Sequence, residues 1–157
     1  MVSQPVVVER TFTVDAPQDR AWAFFRNPAS LSACIPGVSD VTALRAGTFR
    51  ATVEVTISIL KARFDTQVCI AEEQPPSCLV VKMSGKDGKT QTLLETRNTV
   101  NLVSKDGRQT EVTFRIDAKL TGKLAALGGG MAVKLKSRQI ARAFALEVTQ
   151  KIESEEG

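Results

Sequence analysis

Few residues of this 157-residue chain could carry out chemistry. Histidine and tyrosine are absent, which removes the commonest general base, the commonest transition-metal ligand and the usual phenolic acid. The cysteines, Cys34, Cys69 and Cys78, are odd in number and show no CxxC spacing, which argues against a zinc site and against a disulfide framework. We therefore expect this chain to hold no metal ion and no cofactor.

The acidic residues do not suggest a catalytic pair either. Paired carboxylates for hydrolysis must share a cleft, and the alternation of apolar and polar residues gives them none. The acids on the solvent side of predicted strands or on the rim of the predicted helix are Glu54, Asp65, Glu95, Glu111, Asp117 and Glu147. The GxSxG, HExxH, P-loop and dinucleotide-binding motifs are also missing. The sequence predicts no catalytic residue.

Three polar residues share the inward-facing parity of their apolar neighbours, namely Thr66, Thr96 and Asn98. In an otherwise apolar pocket, each could hydrogen-bond a ligand carbonyl and fix the orientation of the ligand. Alternatively, each satisfies a local backbone group. The sequence leaves both interpretations open.

The segment Leu124–Ile152 is the element that must position such a pocket. Apolar residues such as Val133, Ile140 and Phe144 recur on one side at helical spacing, which predicts the long amphipathic helix of the chain. A helix with this apolar side needs an apolar partner surface. Near its start, three consecutive glycines at 128–130 predict either a deformable gate for a bulky ligand or a connector before the regular helix.

Alternating apolar and polar residues predict seven strands, which supply that partner surface. The predicted strands are Val6–Val14, Val38–Ala43, Thr48–Ile59, Ala62–Ala71, Cys78–Ser84, Leu94–Val103 and Thr110–Leu120. Two short helices, about Gln18–Arg26 and Pro28–Ala33, follow the first strand. The predicted fold is α+β: a single domain over residues 1–157, in which a curved antiparallel sheet of about seven strands wraps around the long C-terminal helix.

We predict an apolar cavity between this sheet and the helix. Its predicted lining consists of inward-facing apolar residues, namely Phe49, Val53, Phe64, Val68, Met83, Val100, Phe114, Ile116, Ile140, Phe144 and Val148. Ordinary core packing is the alternative for any one of them. Added bulk discriminates, because Ala118→Phe should be tolerated beside a cavity but should cost about 1–3 kcal/mol in a solid core.

Positive charge is concentrated in and before the long helix. From Arg115 to Arg142 there are seven basic residues and one acidic residue, in a chain of net charge +4. Lys134, Lys136, Arg138 and Arg142 form the predicted partner or membrane surface, which could contact an acidic protein or anionic lipid. The alternative is a solvated helix face. Nucleic acid is not expected, because no aromatic residues are interleaved with these charges.

Two stretches of the sequence resemble a known family. The residues that carry the resemblance are Asp15-Ala16-Pro17 with Trp22, the run Asn27–Val38 with its Cys34-Ile35-Pro36-Gly37 motif, and the run Leu120–Gly128 followed by Ile140 and Phe144. Both stretches look like the family of carbon monoxide dehydrogenase G-subunits. The resemblance extends from about Val6 to Ile152.

The resemblance implies a helix-grip fold of the START-like or polyketide cyclase-like superfamily, whose members enclose a hydrophobic cavity. It also implies an accessory role, because the G-subunit proteins are associated with molybdenum-dependent CO dehydrogenases in membrane recruitment and in carrying quinone. The molybdenum, flavin and iron–sulfur chemistry then belongs to partner subunits. Family members often continue past the long helix into a membrane-engaging tail; this sequence ends at Gly157, and the basic helix residues are the remaining surface that could serve this role.

Our leading hypothesis is a non-catalytic accessory protein that holds a lipophilic small molecule, with a quinone as the candidate, and is associated with a CO dehydrogenase-type molybdenum oxidoreductase. One alternative is a partner-recruitment or membrane-targeting factor without a ligand, and another is a polyketide cyclase-like enzyme. No apolar run is long enough to span a bilayer, and the N-terminal Met-Val-Ser-Gln-Pro lacks signal-peptide features. We expect a cytoplasmic protein that can lie at the inner face of the membrane.

Overall fold

The computed structural model describes residues 3–57, 59–123 and 129–154, and it confirms the predicted α+β order. Within these ranges, one strand is followed by two short helices, six further strands and one long helix. The elements are β1 (Ser3–Val14), α1 (Gln18–Arg26), α2 (Pro28–Ser32), β2 (Val38–Arg45), β3 (Thr48–Ile57), β4 (Leu60–Gln74), β5 (Cys78–Asp87), β6 (Thr92–Lys105), β7 (Gln109–Thr121) and α3 (Gly129–Ser154).

The seven strands form one antiparallel sheet in the order β1-β7-β6-β5-β4-β3-β2, so that β1 and β2 are its edges. Ile116 of β7 lies opposite Val8 of β1 on one side and opposite Asn98 of β6 on the other. Residues that lie opposite each other in a sheet point to the same face. Val8, Asn98 and Ile116 therefore share one face of the sheet, and this is the face that α3 covers.

The Pro36-Gly37 turn leads into β2 and brings two backbone segments into close contact. Gly37 has a φ angle of +85°, and a Cβ atom at this position would lie 2.2 Å from the carbonyl oxygen of Glu54. The carbonyl of Gly37 accepts a hydrogen bond from the N–H of Glu54 at 2.8 Å. Glycine is therefore required here by both backbone conformation and space.

The β3–β4 hairpin is tighter than the sequence predicts. The strand predicted as Thr48–Ile59 ends at Ile57, and the next strand begins at Leu60 rather than at Ala62. Ile59, which continues the inward-facing alternation of β3, lies in the turn and is 92% exposed. Because the apolar alternation runs on through the turn, it does not mark the residue at which the strand ends.

The two short helices lie beyond the end of β1. The side chain of Asn27 caps α2 by accepting the backbone N–H of Ala29 at 3.0 Å and that of Ser30 at 3.4 Å. Pro28 occupies the first helical position, where its missing N–H costs nothing. Helix α1 contributes Phe25, which is almost fully buried, to the core.

Helix α3 packs mainly along β1 rather than over the middle of the sheet. Ala141 and Ala145 are buried, and their small side chains allow the helix to approach closely. The C-terminal end of α3 is fastened to the start of α1 by two hydrogen bonds. The guanidinium of Arg20 donates to the carbonyl of Ile152, and the backbone N–H of Asp15, just before α1, donates to the carboxylate of Glu153 at 3.0 Å.

The long helix begins at Gly129 in the structure. Its predicted start, residues 124–128, lies outside the described residues, so the gate and connector interpretations of the glycines at 128–130 both stay predictions. Within the described ranges, no helix combines the length and the hydropathy needed to cross a membrane.

Candidate functional site

A cavity of about 300 Å³ lies between the sheet and α3. Inward-facing side chains of β3 to β7 form its floor, and Val133, Ile140 and Phe144 of α3 cover it. The segment from α1 to β2 contributes further apolar side chains to the lining. Because α3 packs mainly against β1, the helix does not lie close to the strands in the middle of the sheet, and the cavity occupies the space over them.

Ten of the eleven apolar residues predicted from the sequence line this cavity. They are Phe49, Val53, Phe64, Val68, Met83, Val100, Phe114, Ile116, Ile140 and Phe144. Strand parity brings them together because alternate side chains on neighbouring strands share one face. Their contact with a ligand stays a prediction.

Val148 is the exception, because it is fully buried and does not belong to the cavity lining. It lies in the C-terminal half of α3, close to the end that Arg20 and Asp15 fasten to the start of α1. Helical spacing correctly groups Val148 with the apolar side of the helix. It does not distinguish a position that packs against other elements from one that faces an open space.

Two of the three predicted polar residues, Thr96 and Asn98, line the cavity. The Nδ2 group of Asn98 donates to Oγ1 of Thr96 at 2.9 Å and to the carbonyl of Val81 at 3.4 Å. Thr66 does not line the cavity. Its hydroxyl is buried and donates to the carbonyl of Ala51 at 2.7 Å. For Thr66 the alternative interpretation, a local bond to the backbone, is therefore the correct one.

The predicted basic surface of the long helix divides into two parts. Lys134, Arg138 and Arg142 are exposed and follow one another at intervals of four residues, so that they lie on one side of α3. Lys136 is half-buried and lines the cavity together with Ile140. Lys136 was predicted with the other three, and the difference arises because residues two positions apart on a helix point in different directions.

Arg26 of α1 is the second charged side chain of the lining. It forms an ion pair with Glu73 of β4. Among the described residues, no aspartate, glutamate or cysteine lines the cavity, so its charged groups are both cations. The cavity is thus apolar with a few polar positions at its floor and its edges.

A group of lining residues was not predicted from the sequence. It comes from α2, the turn that follows it and β2, and its members are Leu31, Ile35, Pro36, Val38 and Val41. Leu31, Ile35 and Pro36 lie outside the predicted strands, and Val38 and Val41 are three positions apart, so they do not share one parity. The available signal was composition, because turns usually carry polar residues, whereas this one carries apolar side chains that need a surface to pack against.

Three phenylalanines form one wall of the cavity, which we call the aromatic wall: Phe25, Phe114 and Phe144. The rings of Phe114 and Phe144 meet edge to face with centroids 4.9 Å apart, and those of Phe25 and Phe144 are 6.3 Å apart. Such ring pairs contribute about 0.5–1.5 kcal/mol beyond the area they bury. The aromatic wall joins α1, β7 and α3 where the cavity meets the packed core.

Asp87, at the end of β5 and outside the cavity, is a buried acid. Burial opposes the ionisation of Asp87, but hydrogen bonds outweigh this effect and lower the pKa of its carboxyl group. The Thr90 hydroxyl donates at 2.6 Å, and the backbone N–H groups of Lys89 and Thr90 each donate at 3.2 Å. These bonds shape the β5–β6 turn. In the described part of the chain, no cluster of three or more acids or cysteines suited to a metal ion occurs.

The strand order, the long helix against the sheet and the cavity give this chain the helix-grip fold of START-like and polyketide cyclase-like proteins. A conserved protein from Geobacillus kaustophilus is similar in structure, with a TM-score of 0.80, 18% sequence identity and coverage of 98% of this chain and 96% of its own. A START superfamily protein from Mycobacterium smegmatis gives a TM-score of 0.70 at 14% identity and covers 94% and 97%. The Zhui aromatase/cyclase from a Streptomyces species gives 0.65 at 13% identity and covers 96% and 94%. At these identities the likeness shows the fold alone.

The family is shown by the sequence itself. The family model for the G-subunit of carbon monoxide dehydrogenase (CoxG) matches residues 11–153. The chain therefore belongs to the carbon monoxide dehydrogenase CoxG family, and the resemblance seen in its sequence is confirmed. A search of curated proteins finds no significant sequence match.

Proposed function

We propose that this protein is a non-catalytic accessory protein that holds a lipophilic small molecule in the cavity. The observation that carries the proposal is a cavity of about 300 Å³ with an almost wholly apolar lining. Pockets that bind small molecules have volumes of roughly 300–1,000 Å³ and are lined mostly by apolar side chains. An unfilled apolar space of this size costs a domain on the order of several kcal/mol, a substantial part of a typical stability of about 5–15 kcal/mol.

The proposed partner is a CO dehydrogenase-type molybdenum oxidoreductase, and the proposed ligand is a quinone. Membership of the CoxG family supports the partner, because the family is named for that enzyme. The floor of the cavity supports the ligand class, because Thr96 and Asn98 place a small polar site within an apolar surface. A quinone has a matching distribution of polarity, with oxygen atoms on an apolar ring.

A cyclase-like enzyme is the less favoured alternative. One protein of similar fold is an aromatase/cyclase by name. The lining described here offers Arg26 and Lys136 as its charged groups, and Arg26 is already ion-paired with Glu73. We therefore expect no turnover when aromatic polyketides are incubated with the protein, and product formation would contradict the non-catalytic assignment.

The ligand proposal is tested by binding of N-phenylnaphthylamine, which fluoresces in apolar sites. We expect the wild-type protein to enhance its fluorescence and a naphthoquinone with a short alkyl chain to displace it. The variant Ala118→Phe fills the cavity and should lower the affinity at least tenfold. Leu146→Phe, on the exposed side of α3, adds the same ring outside the cavity and serves as the control. Equal binding by both variants would contradict the proposal.

A second candidate function, recruitment to an anionic surface, rests on the outer face of α3. We define this face by the exposed residues Met131, Lys134, Leu135, Arg138, Arg142 and Leu146. Large apolar side chains are interleaved with cations here, and Met131, Leu135 and Leu146 are each at least half exposed. Helices that lie on membrane surfaces combine apolar and basic residues in this way.

Recruitment is tested by sedimentation with vesicles that contain anionic lipid. The triple variant Lys134→Glu, Arg138→Glu, Arg142→Glu should lose binding, whereas Lys136→Glu, on the cavity side of the same helix, serves as the matched control. Pull-down of oxidoreductase subunits by the same variants separates a protein partner from a lipid surface. Unchanged binding of the triple variant in both assays would exclude the outer face as a docking surface.

A further inference from the structure

The polar site on the cavity floor has a defined hydrogen-bonding pattern. Asn98 and Thr96 lie on β6, two residues apart, and both are half-buried in the lining. The Nδ2 group of Asn98 donates both of its protons, one to Oγ1 of Thr96 at 2.9 Å and one to the carbonyl of Val81 at 3.4 Å. The carbonyl of Val81 can only accept, so it fixes the orientation of the amide group.

This arrangement leaves two polar atoms for a ligand. Oδ1 of Asn98 is an acceptor, and the hydroxyl proton of Thr96 is a donor, because the oxygen of Thr96 already accepts from Asn98. Neither atom has a further partner among the described residues. Every fully buried side-chain nitrogen and oxygen in the described part of the chain is hydrogen-bonded, so Oδ1 of Asn98, which has no partner there, is not fully buried. Both residues line the cavity, where a ligand would meet them.

From this pattern we infer that the Thr96–Asn98 pair binds a hydroxyl group of the ligand. The inference rests on the proposed function, that the cavity holds a lipophilic molecule, and it narrows the ligand to an alcohol or a phenol. A hydroxyl both donates and accepts, so it satisfies Oδ1 of Asn98 and the hydroxyl proton of Thr96 together. A carbonyl or an ether only accepts, and it leaves Oδ1 of Asn98 without a donor once the ligand has displaced water, which is unfavourable.

The same pattern distinguishes the two forms of a quinone. The oxidised form presents carbonyl oxygens, whereas the reduced form, a hydroquinone, presents hydroxyl groups. The pair should therefore bind the hydroquinone more tightly, by about fivefold to tenfold for one additional hydrogen bond. Tighter binding of the reduced form raises the two-electron reduction potential of the bound couple, by about 30 mV for a tenfold preference.

The experiment measures the binding of three ligands to the full chain under anaerobic conditions by titration calorimetry. The ligands are a naphthoquinone with a short alkyl chain, its hydroquinone, and the dimethyl ether of that hydroquinone, which can only accept. We expect wild-type protein to bind the hydroquinone about fivefold to tenfold more tightly than the other two. Thr96→Val and Asn98→Leu should remove this preference while retaining affinity for the ether, because both keep the size of the side chain.

Thr66→Val is the matched control, because Thr66 shares the inward parity of β4 but does not line the cavity. It should keep the preference for the hydroquinone. Equal binding of the three ligands by wild-type protein would overturn this inference and leave the cavity function intact. If wild-type protein binds none of the three ligands, both this inference and the proposed cavity function are overturned. These comparisons use wild-type protein and therefore do not depend on the folding of any variant.

Discussion

The two halves of the sheet–helix sandwich contrast in how they are filled. In the packed half, made of β1, α1 and the C-terminal turns of α3, Val148 and Ile152 are almost completely buried. In the open half, made of β3 to β6 and the N-terminal turns of α3, Met83 and Ile140 line a cavity instead. The aromatic wall stands where the two halves meet. Apolar alternation therefore determines which face of an element turns inward, but not whether the space in front of that face is filled.

The position of α3 explains the contrast. Its buried alanines, Ala141 and Ala145, allow it to lie close to β1 at the edge of the sheet, and the bonds from Arg20 and Asp15 hold its C-terminal end there. A helix at one edge cannot also fill the space over the middle strands. If the position of α3 is the cause, changes of buried volume should affect the two halves differently.

Removal of buried volume should harm the packed half much more than the open half. Ile152→Ala should lower the free energy of unfolding by about 2–5 kcal/mol, because a well-packed isoleucine leaves a void. Ile140→Ala, on the same helix, should cost clearly less, because Ile140 already faces the cavity. Urea denaturation measures both values. Equal losses would mean that the halves do not differ in packing.

Added volume should produce the reverse pattern. Ala141→Phe, at a fully buried position between α3 and its neighbours, should destabilise the protein by about 1–3 kcal/mol or more. Ala118→Phe, in the cavity lining, should change stability by less than about 0.5 kcal/mol, because a ring can occupy the open space. Thermal unfolding compares the pair. A large loss for Ala118→Phe would indicate that the cavity is closed in solution.

The sequence predicted which faces of the strands and the helix turn inward more reliably than whether the space between those faces is filled. Strand parity identified the lining residues of β3 to β7 because the period of two is fixed by the backbone. Helical spacing misassigned Val148 to the cavity, because the position of α3 depends on tertiary contacts that no local pattern contains. Strand parity missed Leu31, which lies in the short helix α2, and Val38, because the apolar residues of β2 do not alternate. Lys136 faces the cavity whereas Arg138 is exposed, and helical geometry would have allowed this difference to be predicted from the sequence.

A smaller, pH-dependent effect is expected at the β5–β6 turn, where hydrogen bonds rather than apolar packing hold one end of the open half. The pKa of Asp87 is lowered from 3.8, so the unfolded chain binds a proton more readily than the folded one near that pH. The stabilisation is therefore present above pH 3.8 and is lost as the pH falls through the lower, folded pKa.

The variant Asp87→Asn should remove this part of the pH dependence. We expect it to destabilise the protein more at pH 6 than at pH 3, as measured by urea denaturation at both values. Thr90→Val removes the shortest hydrogen bond to the same carboxylate. It should therefore also destabilise the protein more at pH 6 than at pH 3. A constant effect of Asp87→Asn at the two pH values would contradict the assigned role of these hydrogen bonds.

We propose that the open half holds a lipophilic molecule. Native mass spectrometry of protein purified without detergent tests it most directly, followed by solvent extraction and identification of what is released. We expect a discrete adduct, a quinone or a hydroquinone, that is present in wild-type protein and absent from Ala118→Phe. A wild-type protein that shows only its own mass, before and after incubation with quinones, would contradict the claim and favour recruitment through the outer face of α3.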